Sequence, residues 1–245
     1  MALAFVAAAV QCEALEFGLE HIDTRSITII KVDPRRDHLR MFHRDDEGKP
    51  LKRLDRLAAW RASKGERVAF AMNAGMYHGD FSAVGLHVED GVEKSPLSLK
   101  DGEGNFFLKP NGVFAMTDMG VHVVASQEYP ALAGKVLQAT QSGPLLLRRG
   151  QVHPAFKPGS INKLHRNAVG VTRDGMVVFA ITEDPVNFHE FAVFFRDRLQ
   201  CADALFLDGT VCSLYAPRLK RNDFRMELGP MIGVVVPASA PGAQE

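Results

Sequence analysis

Nine histidines occur in this 245-residue sequence, yet none pairs with another across a carboxylate at metal-binding spacing. There is no H-E-x-x-H, and the three cysteines form no C-x-x-C. A transition-metal site built from local ligand pairs is therefore not indicated. No G-x-S-x-G elbow, P-loop or G-x-G-x-x-G fingerprint is present either, so the commonest hydrolase and nucleotide-binding classes lack their signatures. Charge of one sign is also missing: 29 Lys and Arg balance 29 Asp and Glu. A nucleic-acid binder needs a clustered basic excess. The most basic stretch, Arg218-Leu219-Lys220-Arg221, is short, is offset by Asp223 and Glu227, and reads as a solvated loop.

Residues Ala2 to Val10 form an apolar run that is too short to cross a membrane. Its length fits the core of a signal peptide, with small residues around Cys12 and a cleavage site after Ala14. No Lys or Arg precedes it, and a buried first strand or helix is the alternative reading. Export gives a periplasmic or secreted protein; without it the chain is cytoplasmic. Cys201 and Cys212 flank an apolar strand over 203–208. At roughly 3.3 Å per extended residue their Cα atoms exceed the ~7 Å reach of a disulfide unless the chain doubles back. Two reduced thiols are expected.

Strand patterns dominate the rest. Alternating or β-branched runs fall at 17–22, 27–32, 38–42, 67–72, 84–89, 112–117, 121–125, 136–140, 144–148, 167–173, 175–181, 203–208 and 232–236. Polar-glycine turns such as Asp118-Met119-Gly120 and Arg173-Asp174-Gly175 suit hairpins. Two helices interrupt them. One is spaced by Leu51, Leu54, Leu57 and Ala58. The other carries the stripe Phe188, Phe191, Ala192, Phe195 and Leu199 behind an Asn187 cap. The fold class predicted is α+β: a single domain over 15–236 with a mixed, largely antiparallel twisted β-sheet and a few flanking helices. Residues 237–245, rich in Ala, Pro and Gly, are expected to be a disordered tail.

The candidate site follows from strand ends. Ala204 to Leu207 runs into Asp208-Gly209-Thr210, and Val68 to Met72 runs into Asn73-Ala74-Gly75. A carboxylate or amide followed by glycine at a sheet edge stays solvated and lets a ligand approach the backbone. Asn73 either binds a hydroxyl or phosphate oxygen or makes an Asx turn. Arg166, just before a strand, has the planar fork that grips phosphate, and is otherwise a surface arginine. Ser142 and Gly143 stand at another strand junction. Glu183 and Asp184 end a further strand, where mutual repulsion would raise one pKa or where they simply make a turn. Glu190 completes a capping box with Asn187 and is also a candidate site carboxylate.

Taken in order, M-N-A-G-M-Y (72–77), G-L-H-V-E-D-G (85–91), F-L-K-P-N-G-V-F (107–114), Q-S-G-P-L-L-L (141–147), R-N-A-V-G-V (166–171), N-F-H-E-F-A (187–192) and F-L-D-G-T (206–210) resemble the phosphodiester glycosidase domain family. The likeness spans about 65–236. It implies hydrolysis between a sugar's anomeric carbon and a phosphodiester, releasing free sugar and a phosphomonoester, with no cofactor and a sugar-phosphate partner. It marks Asn73, Gly75, Gly143, Arg166, Glu190, Asp208 and Gly209 as site positions. Asp208, Glu190 and Arg166 are then the catalytic candidates; Asn73, Gly75, Ser142, Gly143, Gly209, Thr210 and Glu183 are the substrate-binding ones. Two departures stand out. Thr210 replaces the family's usual second glycine, and Glu183-Asp184 replaces an Asp-Gly found in many members. The alternatives are a phosphodiesterase cutting P–O with a divalent cation on Asp208, Glu183 and Asp184, and a cell-envelope protein that binds glycans without turning them over.

Overall fold

The computed structural model describes residues 15–132 and 134–238. The expected signal segment 1–14 and residues 239–245 of the expected tail lie outside the described residues. Two residues expected in the tail belong to the fold. Pro237 closes the strand Met231–Pro237, and the Ala238 amide donates to the Gly65 carbonyl at 2.9 Å.

The strands divide over three sheets rather than one. The first orders Glu16–Ile22, Arg25–Val32, Val177–Thr182, Asn167–Thr172, Cys201–Phe206, Leu145–Arg148 and Gln151–Val152. The second orders Arg221–Asn222, Leu214–Ala216, Glu66–Asn73, Met231–Pro237 and Leu39–Phe42. The third orders Val92–Ser95, His87–Glu89, Val136–Ser142, Gly112–Thr117 and Gly120–Ala125. Every strand pair among the described residues is antiparallel, which corrects the expectation of a mixed sheet. Tight turns account for the pairs that are consecutive in the chain, such as Asn167–Thr172 with Val177–Thr182, because a parallel neighbour needs a long crossover. The pairs between chain-distant strands are antiparallel as well.

Alternation decides what each face buries. In Val177–Thr182, Val177, Phe179 and Ile181 enter a central core shared by all three sheets, with Phe70 and Met72 of the second and Phe114 and Val123 of the third. Val178 and Ala180 point the other way, under the helix Phe188–Asp197. That helix buries Phe191, Ala192, Phe194 and Phe195, and each fully buried phenylalanine contributes on the order of 2 kcal/mol. Its capping box forms as predicted: the Glu190 amide donates to Asn187 Oδ1 at 2.8 Å, and the Asn187 amide donates to Glu190 Oε2 at 3.0 Å. The other helix, Leu54–Ala62, covers the second sheet through Leu54 and Leu57. Cys201 and Cys212 are both buried and free.

Candidate active site

Antiparallel pairing carries the ends of chain-distant strands to one rim, and backbone hydrogen bonds tie them together. The Asp208 amide donates to the Ala74 carbonyl at 3.3 Å, the Leu207 amide to Asn167 at 3.0 Å, and the Phe206 amide to Pro144 at 3.1 Å. Arg166 and Thr182 join the same rim, the Thr182 amide donating to the Arg166 carbonyl at 2.9 Å.

Arg166 is 1% exposed and is the largest fully buried side chain of the described residues. Its Nε donates to the Val186 carbonyl at 2.8 Å and its Nη2 to the Asn162 carbonyl at 3.2 Å. The guanidinium carbon lies 3.5 Å from the centroid of the Phe188 ring and 5.7 Å from that of Phe206. Among the described residues no carboxylate pairs with it. Burial lowers its pKa to about 10, so the group remains a cation at neutral pH. A buried charge costs several kcal/mol unless compensated. Neutral carbonyls and two ring faces compensate it only in part.

Arg166 helps line a pocket of about 250 Å³ together with Asn105, Leu164, His165, Phe206, Gly209, Thr210 and Arg225. Asp208 stands directly before Gly209 and Thr210, and its Oδ1 accepts from the Thr210 amide at 3.2 Å. Burial raises the Asp208 pKa, opposed by the Thr210 hydrogen bonds, and no cation of the described residues pairs with it. Burial pushes the nearby Cys212 thiol up to about 12; Arg225 and Arg166 oppose that shift and Asp208 adds to it. A guanidinium lacking an anion and a carboxylate lacking a cation thus surround one region without pairing to each other.

The other predicted residues fall into two groups. Asn73, Gly75, Ser142 and Gly143 form the packed floor behind the rim rather than the pocket wall. Asn73 makes neither an Asx turn nor a free ligand contact. Its Nδ2 donates to the Asp208 carbonyl at 2.7 Å, while its Oδ1 accepts from Asn167 Nδ2 at 2.9 Å and the Ser213 amide at 3.1 Å. These three bonds hold three segments in place. Gly75 permits a close backbone approach, since a Cβ there would lie 2.4 Å from Gln141 O; at Gly209 it would lie 2.8 Å from His165 O. At Gly143 a Cβ would lie 2.7 Å from Asn111 Cβ, and the Ser142 hydroxyl is buried without a protein partner.

The acidic candidates other than Asp208 are engaged elsewhere. Glu190 closes the cap and accepts from Arg25 Nη1 at 2.6 Å, with Lys163 at 3.7 Å. Burial alone would raise its pKa; the bonds from Arg25 and the Asn187 amide outweigh that and hold it low. Glu183 accepts from Thr28 Oγ1 at 2.7 Å and also pairs with Arg221, and Asp184 accepts from the Ser26 amide at 2.9 Å. Neither Glu190, Glu183 nor Asp184 lines the Arg166 pocket. Among the described residues no group of three or more His, Cys, Asp or Glu is arranged to hold a metal ion. Asn105, His165, Phe206 and Arg225 line the pocket without a site signal of their own in the sequence. His165 adjoins Arg166, and Arg225 follows the basic stretch set aside as a solvated loop. A larger cavity of about 460 Å³, lined by His43, His87, Glu89 and the 44–48 turn, lies apart from these residues.

The profile of the phosphodiester glycosidase family matches residues 66–226, which include Asn73, Arg166, Asp208 and Arg225. The chain belongs to the phosphodiester glycosidase family. "Uncharacterized protein YigE" of Escherichia coli (strain K12) is 32% identical over 192 residues, covering 78% of this chain and 75% of YigE. Among solved structures, the zebrafish N-acetylglucosamine-1-phosphodiester alpha-N-acetylglucosaminidase catalytic domain, auto-inhibited by its pro-peptide, superposes with a TM-score of 0.61. It is 16% identical, covering 90% of this chain and 81% of that one. A hypothetical protein from Synechocystis gives 0.57 at 16% identity, covering 91% and 62%. At such identities the two structures establish the fold. Family membership supports a phosphodiester glycosidase-type hydrolase.

Proposed function

We propose that this chain hydrolyses the bond between a sugar's anomeric carbon and a phosphodiester, yielding the free sugar and a phosphomonoester. The observation that carries this reading is the buried, unpaired guanidinium of Arg166 facing the pocket that Gly209, Thr210 and Arg225 complete. An anion bound there completes the compensation that the fold leaves open. The leaving phosphate is a weak base, so it needs charge neutralisation more than a proton, and Arg166 with Arg225 supplies that.

Asp208 pairs with no cation among the described residues and adjoins the pocket through Gly209 and Thr210, whereas Glu190 and Glu183 are held by arginines. Either it stabilises the oxocarbenium-like centre or it takes a proton from the attacking water. Water's oxygen then joins the anomeric carbon, and the C–O pair leaves with the phosphate. Running the reaction in ¹⁸O-water tests this. Label in the sugar is expected; label in the phosphate means attack at phosphorus and overturns the assignment. Arg166→Ala is expected to lower kcat/KM at least ~100-fold, as loss of one preorganised charge-stabilising group does.

A further inference from the structure

At about 250 Å³, the Arg166 pocket is smaller than the ~300–1,000 Å³ that a whole small-molecule ligand fills. It suits a phosphate and one sugar. The group on the other side of the phosphodiester must extend out of it, past the two loops that contribute Leu164 and Arg225 to the lining. Those loops are apolar where solvent reaches them. Ile161 is 97% exposed, Leu164 55%, Phe224 55% and Met226 52%. Isolated exposed apolar residues need no explanation, but large ones on both loops bordering one anion pocket do.

The same two loops are basic in a chain whose overall charge is zero. Residues 153–166 contain Lys157, Lys163 and Arg166 and no Asp or Glu. In 217–226, Arg218, Lys220, Arg221 and Arg225 face one acid, Asp223, which is turned inward onto Arg221 and the Leu214 amide. Glu227, just beyond, pairs with Lys52, and Arg53 lies over Phe224 with its centre 4.3 Å from the ring. Lys163 and Arg221 are partly neutralised by Glu190, Glu183 and Asp223, which leaves Lys157, Arg218, Lys220 and Arg225 without a carboxylate partner among the described residues. Apolar tips amid these four cations complement one kind of surface. They enter the acyl boundary of a bilayer while the cations meet its anionic headgroups.

We propose that this rim docks onto an anionic lipid bilayer, and that the phosphodiester cleaved is carried on a membrane lipid, sugar in the pocket and lipid at the mouth. The substrate half of this proposal rests on the hydrolase reading above; the docking half does not.

The test uses the full chain with vesicles of phosphatidylcholine alone or mixed with phosphatidylglycerol. Co-sedimentation is expected with the mixed vesicles. Ile161→Asp and Phe224→Asp are expected to weaken it at least about tenfold. Leu19→Asp and Met119→Asp, at exposed apolar positions off these loops, should leave it unchanged. Hydrolysis of a soluble methyl phosphodiester of glucose should be equal in wild type and in the Ile161 and Phe224 variants, while hydrolysis of a glycosyl phospholipid in vesicles falls in both. No vesicle binding overturns docking, and so does binding that all four variants retain alike. Self-association dissolved by Ile161→Asp overturns it too, by making the face a contact with a second copy. Hydrolysis of the soluble diester without vesicle binding leaves the hydrolase reading standing. Vesicle binding with cleavage of neither diester keeps docking and ends the substrate assignment.

Discussion

The guanidinium of Arg166 lies over the ring of Phe188, its carbon 3.5 Å from the ring centroid, at the first turn of the helix that buries Phe191 and Phe195. The stack continues: Phe188 to Phe156 at 4.8 Å and 5°, then Phe156 to His153 at 4.7 Å and 25°. A cation held this way is oriented before substrate arrives, because ring faces and the Val186 and Asn162 carbonyls fix its plane.

Arg166→Lys follows from that geometry. The ammonium keeps the charge but cannot span both carbonyls or stack as a plane. We expect a folded protein with kcat/KM on a sugar phosphodiester down at least ~100-fold. Steady-state kinetics beside a thermal melt will decide; activity within a few-fold of wild type means that charge alone suffices.

Asp208 gives a pH prediction. Burial raises its pKa above the ordinary 3.8, and both proposed roles need the ionised form. Activity is therefore present above the raised pKa and lost as pH falls through it. The acid limb of the kcat/KM profile should lie above the usual carboxylate range, and Asp208→Asn should be nearly inactive at all pH values. A limb within the ordinary aspartate range removes Asp208 from the role.

Most of the strand order and both helices were readable, because period-two runs between glycine turns and an Asn187–Glu190 box are local signals. The strands Val92–Ser95, Gln151–Val152, Leu214–Ala216 and Arg221–Asn222 were not, since two to four residues are too few to show alternation. In the site, Arg166, Gly209 and Thr210 do share a pocket, with Asp208 directly behind it. The hydrogen bonds of Asn73 to Asn167 and Ser213 were not readable, because these partners are 94 and 140 residues away along the chain. Glu190 and Glu183 looked available for the same reason: Arg25 and Arg221 meet them only in the fold.

Glu190→Gln separates support from chemistry. It removes the carboxylate from Arg25 and Lys163 while an amide still caps the helix, at a cost of about 1 kcal/mol for a partly exposed pair. Denaturant unfolding should show that loss with kcat within a few-fold of wild type. A hundredfold fall in kcat at unchanged stability would make Glu190 a site carboxylate after all.

Asn73→Ala should behave in the opposite proportion. It leaves Asn167 Nδ2, the Ser213 amide and the Asp208 carbonyl without their partner in a 2% exposed position. Each such group costs about 1–3 kcal/mol when buried unsatisfied. A loss of roughly 3 kcal/mol or more is expected, with reduced activity because the Asp208 backbone is released. Unchanged stability would show that the floor holds without Asn73.

His43 tests acid stability away from the pocket. Burial, reinforced by the charge of His87, pushes its pKa from 6.5 down to about 4, and its Nε2 donates to the Phe81 carbonyl at 2.6 Å. As pH falls from 6.5, the unfolded chain takes up this proton first, so folding stability declines until the native ring also protonates near 4. The linked loss is at most about 3 kcal/mol. His43→Gln, which keeps a donor for Phe81 but does not titrate, should flatten the stability curve between those two pH values. Denaturant midpoints of both proteins across the interval measure it. An equally steep decline in the variant would assign the acid sensitivity to other groups.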